Sequence, residues 1–259
     1  MSEVFGFSAY AITGAGKVRL CNQDSYCIGE KVRRSFSPET ETLFEKHFGE
    51  EFICAVFDGM GGEKSGDVAS FLCARALQEC ISQKNGKYDI DAYITRANSL
   101  VCELSKEISA HCGTTLAILY ITDGFAHIYN IGDSRIYHLS DGILKQLSVD
   151  HTAAQSLVNI GVLTKEEARH DSRRHTLIRH IGIPEEEMLP EPHHEKVKIK
   201  SGDTFLLCTD GVTESLEDHE IWEIISSHKE AEDTAYGLYD AALNCGGKDN
   251  ITAIIVKIL

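Results

Sequence analysis

Apolar residues fall in short runs separated by polar turn signals along most of the chain. Aromatic and β-branched residues concentrate in Phe52 to Phe57, Leu116 to Ile121, Phe125 to Asn130, Arg135 to Leu139, Thr204 to Cys208 and Ile251 to Ile258, and each run predicts a strand. Asp123-Gly124 and Asp141-Gly142 interrupt apolar stretches and suit tight hairpin turns that need positive φ, so 114–147 reads as an antiparallel meander. Helical spacing appears in Val68, Phe71, Leu72, Ala76 and Cys80, in Leu100, Leu104 and Ile108, and around Ala235, Leu238 and Ala242. Hairpins in the middle with helices before and after imply an α+β fold, with sheets in the interior and helices packed outside.

Composition narrows this picture. A chain of 259 residues with 42% hydrophobic content suits one domain over 1–259 with a sizeable core. No apolar run is long enough to span a bilayer, and the start lacks the order of a signal peptide, so the cytoplasm is the expected location. Nine cysteines without a C-x-x-C pair read as reduced thiols, most of them small core residues. A formal charge of -15 argues against nucleic acid or an anionic membrane as partner. The dense basic stretch is Arg169 to His180, and the polar stretch Lys31 to Glu50 reads as a surface excursion.

The informative pattern is a set of aspartates where apolar runs end or begin: Asp24, Asp58, Asp210 and Asp249. Phe52 to Phe57 delivers Asp58 into the glycine-rich turn Gly59-Met60-Gly61-Gly62, and Leu206 to Thr209 does the same for Asp210. Converging carboxylates repel one another unless a cation sits among them. Oxygen-only ligation favours Mg²⁺ or Mn²⁺ over zinc, and two such ions sharing Asp58 could hold a hydroxide able to attack phosphorus. Any one Asp-Gly pair is more often a turn than a ligand, and Asp123 and Asp141 are read as turns. His111-Cys112-Gly113 lacks the downstream Arg of a cysteine-nucleophile loop, with Ile118 in its place. Gly14-Ala15-Gly16-Lys17 lacks the spacing and following Ser or Thr of a phosphate loop and reads as a tight turn.

Six motifs in order resemble those of the metal-dependent protein phosphatases of the 2C type, the PPM family, in its bacterial form. They are Arg19-Leu20-Cys21-Asn22-Gln23-Asp24, Asp58-Gly59-Met60-Gly61-Gly62, Gly113-Thr114-Thr115, Ile131-Gly132-Asp133-Ser134-Arg135, Cys208-Thr209-Asp210-Gly211 and Gly247-Lys248-Asp249-Asn250. The resemblance implies two stacked antiparallel β-sheets flanked by helices on both sides, with a two-metal Mn²⁺ or Mg²⁺ site in a cleft at one end. It implies a serine/threonine phosphatase acting on phosphorylated proteins, opposing a cognate kinase, and a monomer. By position, Asp58 matches the carboxylate bridging both metals, the Gly59 carbonyl a ligand of one, and Asp210 and Asp249 ligands of the other. Asp24 matches an acidic position supporting the site through metal-bound water, and Arg19 the clamp on substrate phosphate. Asp133, Thr114 and Thr115 are read as structural.

Three departures stand out. Gln23 replaces the usual Glu and removes a charge, and Met60 stands where some members carry a histidine acid, so leaving-group protonation falls to water. Ala110 replaces an Asp expected three residues before Gly113, which leaves a third ion in doubt, with Asp210 its one retained ligand. Gln23 and Ala110 motivate the rival reading, a degenerate module that binds phosphoproteins or metal without turnover. The segment from Asp150 to His180 resembles the mobile flap of bacterial members. Its Arg and His residues are expected to favour a phosphorylated segment, or to be a solvated helix face.

Overall fold

The computed structural model describes residues 4–33, 37–61, 65–83 and 86–259. In chain order it forms β1 (Phe5–Gly14), β2 (Asp24–Ile28), β3 (Lys31–Val32), β4 (Glu41–Gly49) and β5 (Glu51–Met60), then α1 (Gly66–Ser82) and α2 (Ile90–Glu107). There follow β6 (Gly113–Thr114), β7 (Leu116–Thr122), β8 (Phe125–Ile131), β9 (Arg135–Ser140) and β10 (Ile143–Gln146). The flap-like region contributes α3 (Ala153–Asn159) and α4 (Lys165–His170). The chain closes with β11 (His193–Lys198), β12 (Thr204–Cys208), α5 (Asp210–Thr213), α6 (Asp218–Ser227), α7 (Ala231–Asn244) and β13 (Ile251–Ile258). Among the described residues no helix is long and apolar enough to cross a membrane.

Two antiparallel sheets stack face to face. One runs β10-β9-β12-β13-β1-β4 and the other β11-β8-β7-β5-β2-β3, with β6 paired to β5. The layer between them is closed by Phe7, Val56, Leu119, Phe205, Leu207 and Ile254. The outer face of the second sheet is covered by α1 and α2 through Leu77, Tyr93, Ile94 and Val101. The outer face of the first is covered by α6 and α7 through Ile221, Leu238 and Ala242. Strands buried on both faces carry no polar alternation, which is why β1, β5, β7, β12 and β13 are mostly apolar, with their polar residues chiefly near the strand ends. The result is the expected α+β sandwich, helices outside and two sheets within.

Three expectations need correction. The meander over 114–147 is two hairpins in different sheets: β8 pairs with β7 and β11, whereas β9 pairs with β10 and β12. Both Asp-Gly turns are tight and left-handed, with φ of 52° and 75° at Asp123 and Gly124 and 51° and 77° at Asp141 and Gly142. Between them the chain crosses from one sheet to the other at Gly132, whose φ of 101° and contact with Thr115 exclude a side chain. The stretch Lys31 to Glu50 supplies β3 and the nine-residue edge strand β4, with Leu43 in the core; its residues 34–36 lie outside the described ones. Exposed charges on an edge strand hide the strand signal. On α1 the packed face is Ala69, Cys73, Ala74, Ala76, Leu77 and Ile81, with Cys80 packed against it; Ala76 and Cys80 are where the stripe puts them, while Val68, Phe71 and Leu72 are only partly buried. Small residues let this helix lie close on β5.

Leu207 is fully buried between the sheets. Leu207→Ala should cost about 2–5 kcal/mol, the usual range for such a cavity, seen as a lower denaturant midpoint.

Candidate metal centre and active site

Antiparallel pairing places the functional residues at one end of the sandwich. Asp24 at the start of β2 sits directly opposite Asp58 near the end of β5. The end of β12 lies beside the starts of β13 and β9, so Asp210, Asp249 and Asp133 arrive from three connections at the same rim. They line a cleft of about 710 Å³ together with Arg19, Gln23, Asp58, Gly59, Met60 and Thr115.

Each carboxylate is held by a distinct local device. The Asp58 peptide is gripped on both sides: its carbonyl accepts from Thr115 N at 2.8 Å and Thr114 Oγ1 at 2.9 Å, and its N–H donates to Thr115 Oγ1 at 2.9 Å. Thr115 Oγ1 is itself 2.6 Å from Ser134 Oγ. Thr114 and Thr115 are thus structural, as expected. Gly59 is required by close approach, since a Cβ there would stand 2.0 Å from the carbonyl oxygen of Gly66 at the start of α1. Asp210 opens α5, where its carbonyl accepts from Glu214 N at 2.7 Å. Asn250 ties its own loop to the β1–β2 connection at three points: Nδ2 donates to the Cys21 and Ala15 carbonyls at 2.8 and 3.3 Å, and Oδ1 accepts from Gln23 N at 2.8 Å. Arg19 reaches across the rim and donates to Asp249 Oδ2 at 2.6 Å.

Asp24 plays a different part from its neighbours. It is fully buried and does not line the cleft. Its Oδ2 accepts from Thr252 Oγ1 at 2.6 Å and Thr209 Oγ1 at 2.8 Å, bracing β2 against the other sheet. Oδ1 accepts no hydrogen bond among the described residues. The buried Arg33 guanidinium lies beneath, donating to the carbonyls of Asn22, Asp24 and Ser37 at 2.7, 2.5 and 2.9 Å.

Crowding shows in the acidities. Burial first, then the charges of Asp210, Asp24, Asp133 and Asp249, push the Asp58 carboxyl well above the usual carboxylate range. Asp210 is pushed well up in the same way, by burial and then chiefly by Asp133. Asp133 rises to about 7 and Asp24 to about 6, burial being the largest cause in both. An oxygen-only donor set that disfavours its own ionisation, above a buried carboxylate oxygen without a donor, fits a hard divalent cation.

A profile of the protein phosphatase 2C family, described as Protein phosphatase 2C, matches residues 41–243. The chain belongs to the protein phosphatase 2C family. It is 32% identical over 214 residues to the serine/threonine phosphatase stp of Listeria monocytogenes, covering 79% of this chain and 84% of that protein. It is 33% identical over 213 residues to the serine/threonine protein phosphatase PstP of Mycobacterium tuberculosis, covering 80% of this chain and 40% of PstP. The crystal structure of the PstP catalytic domain in complex with two manganese ions superimposes with a TM-score of 0.79 at 28% identity, covering 99% of this chain and 100% of that one. The serine/threonine phosphatase of S. agalactiae gives a TM-score of 0.83 at 25% identity, covering 97% and 99%. The chain is thus a protein serine/threonine phosphatase, a hydrolase.

Two readings of this phosphatase change with the structure. Ala110 is exposed beyond the end of α2 and does not line the cleft, whereas Asp133, assigned above to structure alone, stands among the carboxylates. Part of the basic segment is paired with acids, Arg169 with Glu217 at 2.8 Å, Arg173 with Asp171 at 2.7 Å and His175 with Glu214, while Arg174 and Arg179 make no ion pair among the described residues. What brings the segment to the cleft is His175, Leu177 and His180. Sequence reasoning missed Asp133 and Glu214 as members of the acidic cluster, and a single carboxylate in a turn or on a helix gives no periodic signal. Gly62 lies outside the described residues.

Carboxyls with raised pKa values favour the folded state when protonated, so their contribution is complete below the ordinary carboxylate range and is lost as pH rises to the folded values. Metal-free protein should lose thermal stability between about pH 4 and pH 7, since Asp24 is raised to about 6 and Asp133 to about 7, and Mn²⁺ should restore it. The rise in Tm on adding Mn²⁺, measured by differential scanning fluorimetry, is expected to be larger at the high-pH end.

Proposed function

We propose that this phosphatase hydrolyses phosphoserine and phosphothreonine esters at the cleft, with residues 1–259 acting as one catalytic domain. In this reading Asp58 and the Gly59 carbonyl, with Asp210 and Asp249, would hold two Mn²⁺ or Mg²⁺ ions, and Asp24 would support the site from below. The observation that carries it is the convergence of Asp58, Asp210 and Asp249 with Asp133 in one cleft, each of Asp58 and Asp210 raised by the others. Divalent ions bound there supply positive charge to the phosphoryl oxygens and lower the pKa of water to near neutrality.

The chain's own residues do the remaining work. Thr114, Thr115 and Ser134 keep the Asp58 peptide from moving as charge changes on its carboxylate. Arg19, with half its side chain exposed and one nitrogen on Asp249, is placed to swing its fork onto two phosphate oxygens of an arriving phosphoprotein. Met60 offers no proton, so the leaving alkoxide takes one from solvent. Displacement is in line, by water, with no phosphoenzyme. A cognate kinase and a cytoplasmic location belong to the same proposal.

Turnover of para-nitrophenyl phosphate and of a phosphothreonine peptide should require Mn²⁺ or Mg²⁺ and stop with chelator. Asp58→Asn and Asp210→Asn should each lower kcat by about a hundredfold or more while the protein stays folded. Full turnover in either variant would remove the assigned centre. Arg19→Ala should raise KM for the phosphopeptide about ten- to hundredfold, the value of one or two charge-assisted hydrogen bonds, with Tm nearly unchanged because the Asp249 pair is exposed.

A further inference from the structure

The loop between β1 and β2 presents two aliphatic residues to solvent, one on each side of Arg19 in sequence. Val18 is 63% exposed and Leu20 is 85% exposed, and both line the cleft together with Arg19. We propose that Val18 and Leu20 select substrates whose phosphorylated residue has apolar neighbours in sequence, an inference that rests on the phosphatase reading with Arg19 on the phosphate.

No packing role accounts for these two residues. Neither belongs to any of the three apolar clusters that hold the sheets and helices together, nor packs against one as a partly buried neighbour. A single aliphatic residue on a surface is ordinary. Here two share one short loop at the rim of a cleft that also holds Asp58, Asp133, Asp210 and Asp249. Their exposure is unfavourable until something apolar covers them.

The loop is ordered at both ends, so this exposure is not slack in the chain. Lys17 N donates to Gly247 O at 2.7 Å, and the carbonyls of Ala15 and Cys21 accept from Asn250 Nδ2 at 3.3 and 2.8 Å. Gly16, with a φ of 73°, lies so close to the Asp249 loop that a Cβ would stand 2.3 Å from the Asp249 carbonyl oxygen. Residues 18–20 are therefore a short projection between fixed points. A backbone already held in this way loses little freedom when a substrate covers it.

Further apolar surface lines the same cavity. Met60, next to Gly59, and Leu177, from the segment 150–180, are both partly buried there. Arg19 reaches Asp249 at 2.6 Å from the same three-residue projection. Consecutive residues lie only about 3.8 Å apart along a chain, so a phosphoryl group held by Arg19 brings the residues before and after it alongside Val18 and Leu20.

The test uses three phosphothreonine peptides that differ only in the two residues flanking the phosphothreonine, which are Leu, Ser or Glu, with Mn²⁺ present. Wild type should hydrolyse the Leu-flanked peptide with a kcat/KM about five- to tenfold above the Ser-flanked one, mostly through KM, a fraction of the effect of burying a leucine fully. In the double variant Val18→Ser, Leu20→Ser that ratio should fall to about one. Leu20→Lys should shift preference toward the Glu-flanked peptide about fivefold relative to wild type, a gain that poor folding cannot mimic. Each value is a ratio between two peptides on one protein, so any loss of metal or of folded protein cancels. Equal ratios in wild type and both variants, or a wild type that prefers the Ser- or Glu-flanked peptide, overturn the proposal. Mn²⁺-dependent hydrolysis of para-nitrophenyl phosphate, which has no flanking residues, reports on the centre alone. Its absence in wild type counts against the phosphatase reading, and its presence with equal peptide ratios counts against Val18 and Leu20 alone.

Discussion

Mutual repulsion among carboxylates withdrawn from water is the interaction on which the active end of this molecule depends. Asp24, Asp58, Asp133 and Asp210 are all weakened as acids, first by burial and then by neighbouring carboxylates. Relaxation would carry them apart, and the surrounding structure prevents it. The Asp58 peptide is clamped by Thr114 and Thr115, Asp24 by two threonine hydroxyls, and the loops bearing Gln23 and Asp249 by Asn250. The chain thus holds in place a set of oxygen donors of the kind that small hard cations prefer.

The sandwich is what makes such clamping available. Strands buried on both faces resist shear, and their ends are therefore fixed points from which side chains can be aimed. Asp24 has two tasks: one oxygen braces the two sheets across their gap, while the other accepts no hydrogen bond among the described residues. The crossing at Gly132 does comparable work, since the chain must leave one sheet for the other at this end and carries Asp133 with it. Fold and site share these residues, so substitutions at the cleft floor act on stability and on metal binding together.

Legibility in the sequence was uneven, for identifiable reasons. Asp58 and Asp210 stood out because each follows a strand apolar on both faces and precedes a glycine that close packing demands. All six strands expected from aromatic and β-branched runs are present, for the same reason. β4 escaped notice because Glu41, Glu45 and Lys46 lie on an edge, where charge is tolerated, and β1 because its small residues Gly6, Ser8, Ala9 and Ala11 dilute the apolar signal. α1 was recognised but turned, because the large side chains set the apparent stripe and the small ones made the contact.

The sequence by itself determined the elements, the α+β class and the strand-end aspartates, since these rest on local patterning of apolar runs, turns and glycines. Only the tertiary structure decided that the two middle hairpins belong to different sheets, that Asp133 joins the carboxylates, and that His175 faces Glu214 across a gap of 39 residues. Those facts depend on distances through space between residues far apart in the chain, and a lone Asp, His or Glu has no periodicity by which its neighbours can be foreseen.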